Sequence, residues 1–579
     1  MARVRKGKIA DRPSRRALLA ERPWRKAWAK HVAEAAASPL EPRPLYELVS
    51  ANAARDPAKV CLRFQGASLT YGKVEEHSSR FASALLRLGV ARGERVALFM
   101  PNMPQFVVAY FGTLKAGAVV VPCSPLYKAK ELEFQLRDSG ASVVVAAADV
   151  VKGADLYASV EACRDKLSFK VVTASLTDYL PAWKRPLAGL AGVKEVARSG
   201  TAGTFRALVA GSPPASEPAA ADPRRDLAVL QYTGGTTGVA KGAMLTHANL
   251  YSNAAMTASW LPLGRGDVAL GVLPYFHIYG MTAAMNAPLY AGGTVVLLPR
   301  FEVEAVMKTI EREKVTNFCG VPTMYVAVIN HPEVGRFSLR TVRCCIAGGA
   351  ALPGAVREGF AKVTGGALVE GYGLSESSPV THCNPIGEGA VVKEGSIGVP
   401  FPFTDAKVVS IDDPSKELGV GEAGELAVRG PQVMLGYWNN PAETARVMAG
   451  DGWLLTGDVA RMDEDGYFFI VDRKKDMIDV SGLKVYPREV EELLFTHPGV
   501  KEAAVVGMPD PYRGEAVHAY VVLKPEHRGE VAEDDIVGFC RAGLASYKAP
   551  RKVTFVDELP KTLVGKVLRR SLRDGGEAR

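Results

Sequence analysis

The chain has 579 residues, 47% of them apolar and 23% charged. That composition fits a folded protein of several domains and excludes a disordered, collagen-like or disulfide-scaffold class. The formal net charge is +9, yet residues 1–30 alone carry eleven Lys/Arg against two Asp/Glu, so the rest is close to neutral and does not read as a nucleic-acid-binding body.

The basic start contains Trp24 and Trp28 but no apolar h-region, so it is not a secretory signal. Residues 1–43 are read as a solvated basic arm. Weak attraction to an anionic membrane surface, at most about 1 kcal/mol per basic residue, is the functional alternative. The eight cysteines are scattered, with no C-x-x-C and no zinc spacing, which predicts reduced thiols and a cytoplasmic location.

After the arm, PLYELVSANAARDP (44–57) predicts an amphipathic helix. Residues 61–90 predict two short strands and a helix, and 95–125 predict strand, helix, strand. SVVVAAADV and FKVVTA supply further apolar runs. Strands alternating with helices predict a largely parallel sheet covered by helices. Residues 174–222, broken by Pro and Gly, read as a surface excursion or linker. The Tyr179, Leu180, Trp183, Leu187, Leu190 run within them is a candidate membrane- or acyl-facing patch.

A second α/β block begins with the Gly-rich stretch 232–242 and runs to about residue 395. Within it, residues 268–299 hold no Asp, Glu, Lys or Arg. Gly and Pro break that stretch into pieces, so it reads as buried strand–helix–strand rather than a membrane span. Residues 396–471 predict a small β-rich subdomain closing a large domain, 44–471. The last domain is 472–579, and the charged run DRKKD (472–476) is a plausible hinge.

The most informative stretch is YTGGTTGVAKG (232–242), which follows an apolar run, LAVLQYT. Gly234, Gly235 and Gly238 let backbone N–H groups approach an anion. Thr233, Thr236 and Thr237 add hydroxyls, and Lys241 adds a mobile positive charge. It is not a Walker A loop, because Ala240 precedes Lys241 and Gly242 follows it. Further along, LPYFHIYGM (273–281) places His277 among aromatics, and CCIAGGAALP (344–353) joins an apolar strand to a turn at Gly348. In ALVEGYGLSESSPV (367–380), Gly371, Tyr372 and Gly373 end an apolar strand. Tyr372 can face a base, Ser375 can donate to a phosphate, and Glu376 can hold Mg²⁺. DGWLLTGDVARMDEDGYFFIVDRKKD (451–476) places Asp458 after Gly457, where by itself it reads as a turn residue, with Arg473 fifteen residues on. VSGLKVYPREVEELL (480–494) and LPKTLVGKVLRRSLR (559–573) complete the set.

Together these motifs resemble the adenylate-forming superfamily of acyl-CoA synthetases, luciferases and peptide-synthetase adenylation domains. The resemblance spans about residues 44–573 and is closest to bacterial long-chain fatty acid–CoA ligases. Gly234 stands where the family usually has Ser, and Ala240 where it usually has Pro. The resemblance implies an α/β fold with two sheet subdomains, a small β-rich subdomain and a small mobile α+β C-terminal domain. It implies ATP and CoA as co-substrates, Mg²⁺ on Glu376 and Thr236, and ATP contacts from Thr233, Gly235, Thr236, Thr237, Gly238, Lys241, Gly348, Gly371, Tyr372, Gly373, Ser375, Glu376, Asp458 and Arg473. Lys566 and His277 are the implied catalytic residues, Asp472 the hinge, and Ser481, Gly482 and Lys484 the CoA-side loop. The implied partners are a fatty acid, ATP and CoA, with no nucleic acid. Peripheral contact with the inner face of the cytoplasmic membrane and a homodimer are further expectations.

Two alternatives stay open. An aryl- or medium-chain acyl-CoA ligase would share every ATP residue and differ only in the acyl pocket. An ATP-binding protein without ligase chemistry would need neither Lys566 nor Glu376.

Overall fold

The computed structural model describes residues 22–151, 153–190, 192–233, 240–481, 483–561 and 567–573. Its first sheet has seven strands. In spatial order they are Gly203–Thr204, Lys170–Ala174, Ala141–Ala147, Arg95–Phe99, Val119–Cys123, Leu227–Thr233 and Lys241–Thr246. All neighbours are parallel except the last pair, an antiparallel hairpin. Its central strands are Val/Ala/Leu runs buried on both faces, as a helix-covered parallel sheet requires. Helix Pro104–Lys115, buried along its whole length, packs on it.

The second sheet is where chain order and pairing part. Strand Val60–Phe64, near the start, pairs in parallel with Thr294–Leu297, and Ala67–Thr70 adds an antiparallel edge. Conversely, the 227–246 hairpin, expected to open the second α/β block, belongs to the first sheet. Asn317 bridges Val268–Gly271 to Cys344–Ala347, which continues through Ala367–Gly373 and Val380–Cys383 to Val399–Pro400. The two sheets therefore exchange strands, and one large apolar cluster spans both.

The charge-free stretch folds as expected. Strand Val268–Gly271 leads to helix Ile278–Met281, a π-helical segment Thr282–Asn286, helix Ala287–Tyr290 and strand Thr294–Leu297. Among the described residues no helix is long and apolar enough to cross a membrane. The eight cysteines are all buried and unpaired.

The β-rich portion pairs Asp405–Val409, Gly424–Arg429 and Trp453–Met462, with Met448–Ala449 and Phe468–Arg473 each on the long strand Trp453–Met462. The last sheet centres on the long hairpin Val500–Asp510 and Gly514–Leu523. Helices Pro487–Phe495 and Glu533–Gly543 bury their apolar faces into its core.

Two expectations need correction. Residues 22–43 are not a solvated arm. Trp24 is 2% exposed and packs edge-on to Phe468, with centroids 6.3 Å apart. Trp28 Nε1 donates to Pro400 O at 2.9 Å, and Arg22 pairs with Asp405. Two tryptophans in a basic stretch are thus a strap across the β-rich portion, and burying an indole outweighs the solvation of its charged neighbours. Residues 1–21 lie outside the described residues. Nor is 174–222 a simple linker: Gly203–Thr204 extends the first sheet, Phe205 is buried against Phe81, and the Tyr179 hydroxyl meets His77 Nδ1 at 2.8 Å. Its turn around Trp183, Leu187 and Leu190 leaves these three large apolar side chains exposed.

Replacing Trp24 with Ala removes this buried wedge, and a loss of about 3–5 kcal/mol is expected. It is read as a lower urea midpoint for the β-rich portion, whose Trp453 reports by fluorescence.

Candidate active site

The Gly-rich loop closes the hairpin Leu227–Thr233/Lys241–Thr246, so Thr233 and Lys241 are direct cross-strand partners at its mouth. A hairpin, not a helix N-terminus, presents the loop. Gly235, Thr236, Thr237 and Gly238 lie outside the described residues, as do Gly482 and Lys566. The base of the hairpin is fixed from the side: Tyr232 Oη donates to Asp138 Oδ2 at 2.5 Å, and Trp438 Nε1 donates to Asp138 O at 3.1 Å.

Lys241 projects into a polar network. Its ammonium lies 2.6 Å from Glu443 Oε1 and 5.3 Å from the Tyr437 ring centroid. Tyr437 Oη donates to Glu376 Oε1 at 2.7 Å. Burial, reinforced by Glu376, holds the Tyr437 hydroxyl well above the usual phenol range, so it stays a donor. Lys241 and Glu376, 135 residues apart by their numbering, thus share one tyrosine.

Glu376 sits in the 3₁₀ turn Ser375–Ser377 that follows strand Ala367–Gly373. Gly373 must be glycine, because a Cβ there would stand 2.0 Å from Pro379 O. At Gly348 a Cβ would press on the Tyr279 ring at 3.1 Å. Tyr279 Oη in turn donates to Ile346 O at 2.7 Å, which ties the 273–281 segment to the turn after Cys344–Ala347. His277 caps helix Ile278–Met281 by accepting the Tyr279 N–H at its Nδ1. Gln231 Nε2 donates to Phe276 O at 3.0 Å, placing this aromatic loop beside the hairpin. So Lys241, Gly348, Gly371, Tyr372, Ser375, Glu376 and the His277 loop come together at the ends of adjoining strands.

Asp458 is the pivot on the other side. It is 4% exposed, accepts from Tyr372 Oη at 2.5 Å, and pairs with Arg473 Nε at 3.1 Å. Asp458 and Arg473 are also cross-strand partners. The carboxylate raises the Arg473 pKa, and burial together with Asp458 raises that of Tyr372 well above the phenol range. Before it, Gly457 turns at φ +73°, and its N–H donates to Glu425 Oε1 at 3.0 Å. Glu425 Oε2 also takes the Lys474 ammonium at 2.8 Å.

Asp472 is buried at 4% exposure and accepts two backbone N–H groups, from Arg473 at 2.6 Å and Arg488 at 2.7 Å. Burial pushes its pKa up to about 6, and those two donors offset part of the rise. Arg488 also donates to Ile470 O at 3.1 Å. The candidate hinge is therefore spanned by a clasp from helix Pro487–Phe495. Ser481 and Lys484 lie on an exposed hairpin of the last sheet, where Ser481 N donates to Arg513 O and Lys484 pairs with Asp479 at 2.6 Å.

Asp138, Glu425, Tyr437 and Glu443 are absent from the sequence reading. No local pattern marks them: each reaches the site from a distant segment, and only the fold brings them in.

The family model described as AMP-binding enzyme matches residues 49–438, and that of the AMP-binding enzyme C-terminal domain matches 489–566. The long-chain-fatty-acid–CoA ligase of Bacillus subtilis is 44% identical over 545 residues, covering 92% of this chain and 95% of that protein. The protein of the same name from Salmonella typhimurium is 41% identical over 546 residues, covering 92% and 93%. Among solved structures, ATP-bound MatB from Rhodopseudomonas palustris is similar with a TM-score of 0.79 at 30% identity, over 92% of this chain and 98% of that one.

Asp458→Asn keeps the shape of the side chain but leaves Arg473 without its counter-charge and removes an anionic acceptor. ATP binding measured by calorimetry is expected to weaken about 10- to 100-fold, the worth of a hydrogen bond to a charged group. Unchanged ATP affinity would remove Asp458 from the nucleotide site.

Proposed function

We propose, from the premise that the chain belongs to the AMP-binding enzyme family, how its residues divide the work of a long-chain fatty acid–CoA ligase. The enzyme activates a fatty acid with ATP to acyl-AMP and pyrophosphate, then transfers the acyl group to CoA and releases AMP. The observation that carries the assignment of roles is the convergence of Lys241, Glu376, Tyr372 and Asp458. It sets a cation, a carboxylate, an aromatic face and a buried acceptor around one region, as a nucleoside triphosphate needs.

A carboxylate is a poor acyl donor because its oxygen leaves badly, and joining it to AMP supplies a good leaving group. The first step is an in-line attack of the fatty acid carboxylate on the α-phosphorus, with loss of pyrophosphate. Alignment and neutralisation of charge are the protein's tasks. In this reading Thr233, Lys241 and the loop threonines hold phosphates. Tyr372 flanks the adenine, and Asp458 accepts the ribose hydroxyls beside Arg473. The residues also fit Mg²⁺. Glu376 offers hard carboxylate oxygen, one oxygen already fixed by Tyr437, and Thr236 is the second proposed ligand. The ion, when bound, neutralises the phosphates and the departing pyrophosphate.

Lys566, in the P-K-T-x-x-G-K pattern, is assigned to the bond-making side, where its ammonium meets both carboxylate and α-phosphate. His277 lines the acyl side. For the second step the C-terminal domain turns about Asp472, withdrawing Lys566 and bringing the Ser481–Lys484 loop to the acyl-adenylate, where the CoA thiol attacks the acyl carbon. Any such turn has to open the Arg488 N–H to Asp472 bond. The exposed turn with Trp183, Leu187 and Leu190 supports peripheral contact with the inner face of the cytoplasmic membrane.

AMP release from ATP with CoA, measured over acids from acetate to stearate plus benzoate and coumarate, tests the substrate class. Release should rise toward the long chains. Release with aromatic acids alone would move the enzyme to the aryl-CoA ligases. Lys566→Ala should lower adenylation about 10²- to 10³-fold while sparing thioesterification of supplied acyl-AMP. Equal loss in both half-reactions would refute the role assigned to this lysine.

A further inference from the structure

Glu443 lies outside every motif that led to the nucleotide site, yet it makes the closest contact with the lysine of the phosphate loop. Its Oε1 stands 2.6 Å from Lys241 Nζ, and the two side chains are 19% and 12% exposed. The pair is not an accident of two long side chains meeting in solvent, because the backbone fixes its spacing. Residues 435–438 run antiparallel alongside Lys241–Thr246, with an isolated bridge between Ala243 and Tyr437. Trp438 N donates to Gly242 O at 2.8 Å, Met244 N to Gly436 O at 2.9 Å, and Leu435 N to Met244 O at 3.0 Å.

The turn that follows is locked by its own side chains. Asn440 Oδ1 accepts the Glu443 N–H at 3.1 Å, and Thr444 Oγ1 accepts the Tyr437 N–H at 2.8 Å while donating to Asn440 O at 2.9 Å. Trp438 anchors the far end on Asp138. Glu443 is therefore delivered to Lys241 by a braced loop. The same loop supplies Tyr437, which lies against Lys241 and donates to Glu376. Around Glu443 the charged groups are Lys241 and, at 3.3 Å from Oε2, the largely exposed Arg446.

A lysine already satisfied by a carboxylate gains less from a phosphate than a bare one. We propose that Glu443 is the standing counter-ion of Lys241, which the ATP phosphates displace or share, and that it thereby weakens ATP and pyrophosphate binding and speeds pyrophosphate release. This rests on the reading of Lys241 as a phosphate ligand. The sign follows from burial. Without the Glu443 charge, Lys241 is a poorly hydrated cation whose remaining strong partner is the incoming anion. A carboxylate that merely propped Lys241 in place would give the opposite sign, because its loss would disorder the lysine and weaken binding. Lys241 also holds the Glu443 carboxyl below the usual carboxylate range, so the counter-ion is charged at neutral pH.

The test uses the full chain with MgATP in four forms: wild type, Glu443→Gln, Lys241→Ala and the double variant. Glutamine keeps the shape and an acceptor oxygen while removing the charge, and thermal unfolding of each variant verifies folding. Glu443→Gln should lower the ATP dissociation constant about threefold or more. It should lower kcat with the fatty acid saturating, as pyrophosphate release slows, and steepen the salt dependence of ATP binding. In the Lys241→Ala background the same substitution should change none of these. An ATP dissociation constant that is unchanged or raised in Glu443→Gln, with Lys241→Ala still impairing ATP binding, overturns the counter-ion role alone. Unimpaired ATP binding in Lys241→Ala overturns the reading of the lysine and the proposal with it.

Discussion

The buried carboxylate of Asp458 sets the terms for the structure around it. An ionised group at 4% exposure costs several kcal/mol of desolvation unless partners surround it. Here they come from two directions, the Tyr372 hydroxyl at the end of one sheet and the Arg473 guanidinium on the neighbouring strand. That requirement joins strand Ala367–Gly373 to the β-rich portion across a polar seam, beside the backbone bridge between Gly398 and Phe468. Glu425 repeats the device on the other side of Gly457, taking a backbone N–H and the Lys474 ammonium. The two carboxylates hold the strand Phe468–Arg473 in register, and with it the point at which the chain leaves for its last domain.

From that point the chain enters a second polar clasp. Asp472 receives N–H groups from both sides of the candidate hinge, one from its neighbour Arg473 and one from Arg488 at the start of the next helix. Arg569 continues the theme by reaching Glu491 at 2.8 Å and Asp476 at 3.4 Å. Directional bonds between a few groups can be opened and remade in a new orientation, whereas a large apolar interface would resist separation. The apolar core of the last sheet is accordingly its own cluster, separate from the large one.

Much of this was legible in the sequence, for reasons that differ by scale. Strands such as Val119–Cys123 announce themselves because both faces are buried, so a continuous apolar run is required. Strand Leu227–Thr233 is legible for the same reason, as the apolar run LAVLQYT. Pairing over long separations is not legible. Nothing in Val60–Phe64 says that its partner is Thr294–Leu297, since parallel strands share no local signal of register. The strap of residues 22–36 was misread because its charge dominates its composition, while Trp24, one residue, decides its fate. Glu443 and Asp138 escaped for the same reason as the strand pairing. A side chain that acts on a site 202 residues away, as Glu443 does on Lys241, follows from topology rather than motif.

The candidate site pairs its charges within a nearly neutral body. Among the described residues, three of its cations have carboxylate partners: Lys241 with Glu443, Arg473 with Asp458, Lys474 with Glu425. On the proposed reading, taking up a triphosphate is an exchange of anions around held cations rather than the filling of a strongly positive pit. An exchange gives up affinity, because each new contact replaces an old one, but it lowers the barrier to leaving by the same logic. For an enzyme that discharges pyrophosphate halfway through its cycle and AMP at the end, a site that held every phosphate as tightly as bare lysine and arginine allow would stall on its own products. The basic residues that give the chain its net charge lie in the first thirty positions, and the candidate site is built from balanced pairs in the neutral body. The charge at the candidate site is set by local pairing and burial, which the net charge of the chain does not report.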